Sequence, residues 1–286
     1  AFLMLRLGWF STGRDEAARQ LLQVVYKGID GGDIDARIAF VFSSRSPGET
    51  PQSDLFLQLV KSYGIPFVHL SFKDVVGSAP VDYRDTPRRA AYDRQVIELL
   101  KGFKVDLCIM AGYMLIISPE LCHHYDFINL HPAMPNGPKG TWQEVIWQLI
   151  EQRALSSGVM MHLVTPELDR GPAVAYCTYS LRTPSLNPLW IQIQNQQIEE
   201  IKHSEGETNA LFRLIRQEGL KREFPLILAT IKAFSRGHVR VENGIILNKE
   251  GKPIPGYDLT PEIESSIEND LALVKENDSL MPMSKV

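Results

Sequence analysis

A chain of 286 residues, 44% hydrophobic and 22% charged, has the makeup of a globular protein and the length for one large α/β domain or two small ones. Its formal net charge of -4 excludes a broad electrostatic grip on nucleic acid, and no run approaches the roughly 18–20 apolar residues of a bilayer-crossing helix. Three scattered cysteines, Cys108, Cys122 and Cys177, contain no CxxC pair and fit a reducing compartment. A cytoplasmic location is therefore expected, without membrane or nucleic-acid partners.

Apolar runs of strand length alternate with longer segments of helical period, the pattern of a mostly parallel sheet with crossover helices. Residues 2–10 read as a buried first strand, ending at Ser11-Thr12-Gly13-Arg14-Asp15, and residues 16–27 as a helix with Ala17, Leu21, Leu22 and Val25 on one face. A second strand is expected at 36–43, a helix at 54–63 and a short strand at 66–70. Gly77, Pro80 and Pro87 mark residues 75–87 as a loop, before a helix at 88–103 and buried strands at 106–110 and 127–130. A helix at 142–153 precedes two strands at 159–165 and 173–181. Residues 192–207, rich in Gln and Glu, read as an exposed helix or flexible insertion. A long helix is expected at 209–235, kinked or divided by Pro225. Its Arg213, Arg216, Lys221 and Arg222 read as a solvated face. Asn243-Gly244 sets a hairpin over 238–247, and a short helix with a loose tail follows Thr260. The fold class expected is an open, mostly parallel, doubly wound Rossmann-like sheet with flanking helices, plus a C-terminal helix and hairpin.

The segment that carries chemistry is Asn129-Leu130-His131-Pro132, directly after an apolar strand. Alternation along the strand puts Asn129 and His131 on one side of the chain, at the end where open parallel sheets bind ligands. Some thirty residues on, the strand Gly158 through Thr165, which includes His162, leads into Pro166-Glu167-Leu168-Asp169-Arg170-Gly171-Pro172. An amide, an imidazole and a carboxylate on adjacent strand ends suit acyl transfer to an amine. The Asn129 amide and a protonated His131 would donate to the oxygen on which negative charge develops. Asp169 would favour the imidazolium and accept the amine proton, directly or through water. Taken singly, Asn-x-His after a strand and Asp-x-Gly in a loop are commonplace structural features; their joint order points to catalysis. Adjacent His123 and His124 on a helix would point about 100° apart, with no third ligand evident, so no metal is expected.

In these motifs the chain resembles the folate-dependent formyltransferase family, and within it the members that act on glycinamide ribonucleotide. The likeness rests on Asn129-x-His131-Pro132, on Gly158 through His162, on Glu167-Leu168-Asp169-x-Gly171-Pro172 and on Ala111-Gly112-Tyr113-Met114-x-Ile116-Ile117-Ser118-Pro119. It implies transfer of a formyl group from 10-formyltetrahydrofolate, as co-substrate, to the primary amine of glycinamide ribonucleotide in purine synthesis. It also implies Asn129, His131 and Asp169 as the catalytic trio, with His162 in support. Met114, Leu115, Ile116, Ile117, Glu167, Leu168 and Gly171 would hold the folate. Thr12, Gly13, Arg14, Asp15 and Arg89 would meet the substrate's phosphate and ribose. Residues 1–258 would form a single domain, with a nucleotide and phosphate half at about 1–104 and a folate and catalytic half at about 105–258; residues 259–286 would be a polar tail. The expected partners are small-molecule substrates, and a homodimer stays open.

Departures from the family pattern cluster near the acceptor. Residues 133–140, Ala-Met-Pro-Asn-Gly-Pro-Lys-Gly, differ from the usual Ser-Leu-Leu-Pro run and are one position shorter. The phosphate loop has one glycine rather than two, and Leu220 stands where the family has a glutamate, with Glu218 and Glu223 out of register. Two alternatives therefore remain: the same chemistry on another amine, such as an amino sugar nucleotide, or a non-catalytic folate- or nucleotide-binding homologue. Arg89 is also placed to pair with Asp93 one helical turn on.

Overall fold

The computed structural model describes residues 4–77, 86–167 and 170–280, the side chains of Thr86 and of residues 271–280 apart. It divides into two compact units, one of Ala1–Leu130, His162–Val174 and Ile231–Pro255, the other of His131–Met161, Ala175–Thr230 and Gly256–Val286.

In the first unit β1 (Leu5–Ser11) leads into α1 (Glu16–Asp30). The Asp15 side chain caps α1 by accepting the Ala18 N–H at 3.1 Å, and Ala18, Leu21, Leu22 and Val25 bury one stripe at helical spacing. Next come β2 (Ala36–Ser43), α2 (Pro51–Ser62, capped by Thr50 with Pro51 in its first turn) and β3 (Phe67–His69). α3 (Phe72–Val76), α4 (Thr86–Leu100), β4 (Leu107–Met110), α5 (Pro119–His124) and β5 (Phe127–His131) follow. The strands are ordered β5-β4-β1-β2-β3 and every neighbouring pair is parallel. Their inner face is aromatic: the Phe10 ring meets Phe40, Phe42, Tyr113 and Phe127 at centroid distances of 5.8, 5.2, 5.6 and 4.8 Å.

The loop expected at 75–87 needs correction at both ends. Val75 and Val76 finish α3, while Thr86 and Pro87 open α4, where a proline lacking an N–H is compatible with a first turn. Residues 78–85 lie outside the described residues.

The second unit carries α6 (Trp142–Glu151), opened by a capping box between Thr141 and Glu144, then β6 (Ser156–Leu163) and β7 (Ala173–Ser180). α7 (Asn187–Gln192) and α8 (Ile198–Ser204) occupy the segment expected to be exposed or flexible. Within 192–207, Ile193 and Ile201 are instead buried in a cluster with Trp190, Val145, Leu149, Leu211 and Phe212. The Gln and Glu side chains cover the outside of this packed insertion. α9 (Ala210–Ser235) runs through Pro225 as one helix and is not divided there. The hairpin β8 (Val239–Glu242) and β9 (Ile245–Asn248) returns to the first unit, with Asn243 and Gly244 at φ 51° and 78°, the left-handed pair a two-residue turn requires. Finally β10 (Tyr257–Asp258) pairs parallel to β7, giving the order β10-β7-β6, and α10 (Thr260–Leu280) has 21 residues where a short helix was expected. The architecture is thus the expected mostly parallel, Rossmann-like sheet with flanking helices and a C-terminal hairpin and helix. Among the described residues no helix is long and apolar enough to cross a membrane.

Candidate active site

β4 ends at Met110, opposite Asn129, and β5 runs on to His131. Beyond them, the loop before α5 and the residues after β6 enclose a cavity of about 200 Å³ in the first unit. Met110, Tyr113, Met114, Leu115, Ile116, Ile117, Asn129, His162, Val164, Thr165 and Pro166 line it. A largely apolar wall with a few convergent polar groups is the usual makeup of a small-molecule site. The structure therefore brings together Asn129, His162 and the four hydrophobic residues 114–117. Met110, Val164 and Thr165 join them without having been assigned a role, and Tyr113 joins from within the 111–119 motif. Their signal in the sequence was position alone, at strand ends flanking residues that had been chosen.

His131 is buried on β5, two residues after Asn129 and so on the same side of the strand. Its Nε2 lies 3.0 Å from the Pro138 carbonyl oxygen. A carbonyl only accepts, so Nε2 carries the proton, and a second donor at Nδ1 arises in the imidazolium form. His162 is buried, with Nδ1 3.2 Å from the Leu163 carbonyl. Glu167 is exposed; its own carbonyl accepts from Thr165 Oγ1 at 3.0 Å, and its side chain lies 3.8 Å from Arg170. At Gly171 a Cβ would overlap the Leu163 carbonyl, so glycine is required there by close backbone approach. Leu168 and Asp169 lie outside the described residues.

The loop between β1 and α1 behaves differently from a simple phosphate cradle. Thr12 is buried and its Oγ1 accepts the Met114 N–H at 2.9 Å, so its hydroxyl serves the cavity loop. Gly13, at φ 63° and packed on Phe56, donates its N–H to Ser11 Oγ. Arg14 forks onto Asp15 Oδ2 at 3.1 and 3.0 Å while Asp15 Oδ1 caps α1. A phosphate at this helix end would meet the Asp15 carboxylate. Asp15→Asn keeps the cap, since both residues cap well, and removes the charge. If a phosphorylated acceptor docks here, KM for it is expected to fall about twofold to fivefold in this variant, an electrostatic gain of up to about 1 kcal/mol. An unchanged KM in steady-state kinetics places the phosphate elsewhere. Arg89, half-buried on α4, directs Nη1 at the Ile116 carbonyl at a long 3.5 Å.

In the second unit Glu218 pairs with Lys221 and Arg222, and Glu223 with Arg216 at 2.7 Å; Leu220 is exposed. The basic cluster on α9 is correspondingly not a solvated face throughout. Arg222 is buried between Glu218, Glu264 and the Tyr179 ring, and Arg216 lies over Trp142. Among the described residues no group of three or more His, Cys, Asp or Glu side chains could hold a metal ion.

A family model described as formyl transferase matches residues 16–180, more than half of the chain. The chain belongs to the formyl transferase family. The matched span contains the cavity's lining residues, Asn129 among them, together with His131 and Asp169. Within the family, the chain is 35% identical over 88 residues to the phosphoribosylglycinamide formyltransferase of Escherichia coli K12. That match covers 30% of this chain and 41% of the relative, so it spans less than half of the relative's length. Among solved structures, glycinamide ribonucleotide transformylase 1 from Symbiobacterium toebii superposes with a TM-score of 0.56 at 21% identity, covering 86% of this chain and 94% of that one. A formyltetrahydrofolate deformylase from Pseudomonas syringae gives a TM-score of 0.53 at 21% identity, over 85% of this chain and 65% of that one. At these identities the two structures establish a shared fold.

Proposed function

We propose that the protein transfers the formyl group of 10-formyltetrahydrofolate to a primary amine, with glycinamide ribonucleotide as acceptor. The observation that carries this reading is the cavity walled by residues 113–117 with Asn129 and His162 set into it, inside the span that matches the family. The amine nitrogen attacks the formyl carbon, and negative charge builds on the formyl oxygen. The Asn129 side-chain N–H and the Nδ1–H of a protonated His131 donate to that oxygen. Asp169 takes the proton released by the amine, and the folate nitrogen leaves with a proton as the tetrahedral carbon collapses. The apolar wall of the cavity holds the ring system of the folate and keeps water from the formyl carbon.

The deformylase neighbour defines the competing reading, in which water replaces the amine. Incubating the protein with 10-formyltetrahydrofolate and, separately, glycinamide ribonucleotide, an amino sugar nucleotide or no acceptor distinguishes them. Tetrahydrofolate release is expected only with glycinamide ribonucleotide, matched by one equivalent of formylated product. Release at the same rate without an acceptor, as formate, would replace the transferase reading by hydrolysis. Release with the amino sugar nucleotide alone would keep formyl transfer and change the acceptor.

A further inference from the structure

The loop between β4 and α5 forms one wall of the cavity, and buried side chains that the proposed chemistry does not use tie it at both ends. At its start the Thr12 N–H donates to the Gly112 carbonyl at 3.1 Å, and Thr12 Oγ1 accepts the Met114 N–H at 2.9 Å. The same hydroxyl lies 3.1 Å from Ser44 Oγ. At its end, Asp93 on α4 accepts the Ser118 N–H through Oδ2 at 2.5 Å. Ser118 in turn caps α5, its Oγ accepting from the Leu121 N–H at 3.3 Å. Thr12, Asp93 and Ser118 are 4%, 3% and 0% exposed, so the side chains that hold the loop are themselves shielded from water.

A carboxylate in such a place has to be explained, because burying a charge is unfavourable unless it is bonded. Burial raises the Asp93 pKa, while the Ser118 N–H and the nearby Arg89 pull it back down. The bond to Ser118 is charge-assisted and about twice as strong as a neutral one. Between the Met114 and Ser118 ties only Leu115, Ile116 and Ile117 intervene, and all three line the cavity. A segment this short, pinned on both sides, has little freedom left to lose when a ligand enters.

We propose that Asp93 is a positioning residue for folate binding: from the far side of the loop, with Thr12 as its counterpart, it holds residues 113–117 in the conformation that walls the cavity. This rests on the formyl-folate reading above. Asp93 touches neither folate nor acceptor, so its removal acts on binding rather than on the chemical step.

The test compares wild type with Asp93→Ala, Asp93→Asn and Thr12→Val, using 5-formyltetrahydrofolate, which serves as a non-reacting probe, in calorimetry. KM and kcat for 10-formyltetrahydrofolate and hydrogen exchange at residues 112–118 complete it. Asp93→Ala leaves a buried N–H unsatisfied and is expected to weaken probe binding and raise KM about tenfold or more, with kcat at saturation within about threefold of wild type. Asparagine offers a carbonyl oxygen to the same N–H and is expected to restore most of the affinity. Exchange at Ser118 is expected to speed up in the alanine variant and return in the asparagine one. Thr12→Val, close in shape, is expected to raise KM in the same direction, and it carries the test if Asp93→Ala does not fold. Wild-type affinity in Asp93→Ala, or in Thr12→Val where the first is unfolded, overturns the proposal. So does a loss of kcat at unchanged KM. Absence of probe binding by the wild-type protein overturns the formyl-folate reading together with this one, whereas tight wild-type binding with indifferent variants removes this one alone.

Discussion

Asn129→Ala is expected to lower kcat for formyl transfer about 100-fold to 1000-fold while leaving the folded protein intact. That is the loss typical of removing one donor to a developing oxyanion. The side chain is half-buried in the cavity wall at the end of β5, opposite Met110, and it is not part of the aromatic core behind that wall. The donor stabilises the tetrahedral oxyanion more than the ground-state carbonyl, so the effect belongs on kcat, with KM for the folate changed by less than about threefold. Asn129→Asp sharpens the comparison. It preserves size and replaces the donor by a charged acceptor facing the same oxygen, so turnover is expected to fall at least as far. Steady-state kinetics on the two variants, with circular dichroism to verify the fold, decides the matter. Near-normal kcat in Asn129→Ala removes Asn129 from the chemistry.

Much of this arrangement was legible in the residues because a parallel sheet writes itself as short apolar runs. β2 falls at Ala36–Ser43, the span its Ala-Arg-Ile-Ala-Phe-Val-Phe-Ser run implies, and Asn243-Gly244 marked the hairpin by its demand for positive φ. The strand carrying Asn129 was equally plain, expected at 127–130 and found at Phe127–His131, whereas β1 begins at Leu5 rather than residue 2 and β6 at Ser156 rather than residue 159, away from the starts their apolar runs suggested. Hydrogen bonds across long sequence separations leave no periodic trace. Thr12 was read as a phosphate contact from its place before α1, whereas its hydroxyl reaches Met114, 102 positions away. Arg89 was placed to pair with Asp93 one turn away, and its charge does favour the carboxylate, but the hydrogen bond to the Ser118 N–H, 25 positions on, left no sign in the sequence. The segment around α7 and α8 was misread for a compositional reason. Its Gln and Glu side chains outnumber the apolar ones, yet Ile193 and Ile201 are buried in the core and Ile198 packs against it.

Phe10→Ala is expected to destabilise the protein by about 3–5 kcal/mol, the range for removing a fully buried phenylalanine from a packed core. Phe10 is 0% exposed and sits at the centre of the aromatic face, edge-on to Phe40, Tyr113 and Phe127 at interplanar angles of 75°, 89° and 72°. Such edge-to-face pairs add about 0.5–1.5 kcal/mol each beyond their buried area, so several favourable contacts disappear with one ring. The cavity left behind is bordered by β-strands on both sides, and strands held in parallel register have little room to collapse into it. Urea unfolding should show the midpoint falling with an unchanged slope, because the same surface is exposed on unfolding. A loss below about 1 kcal/mol would mean that the face relaxes freely and is not the rigid backing it looks. The variant also links the core to the site. Tyr113 packs edge-on against Phe10 and lines the cavity, so KM for the folate is expected to rise in whatever fraction remains folded. Phe10→Leu refills most of the volume without the ring, and is expected to recover stability further than it recovers KM, since Tyr113 loses its edge contact in both variants.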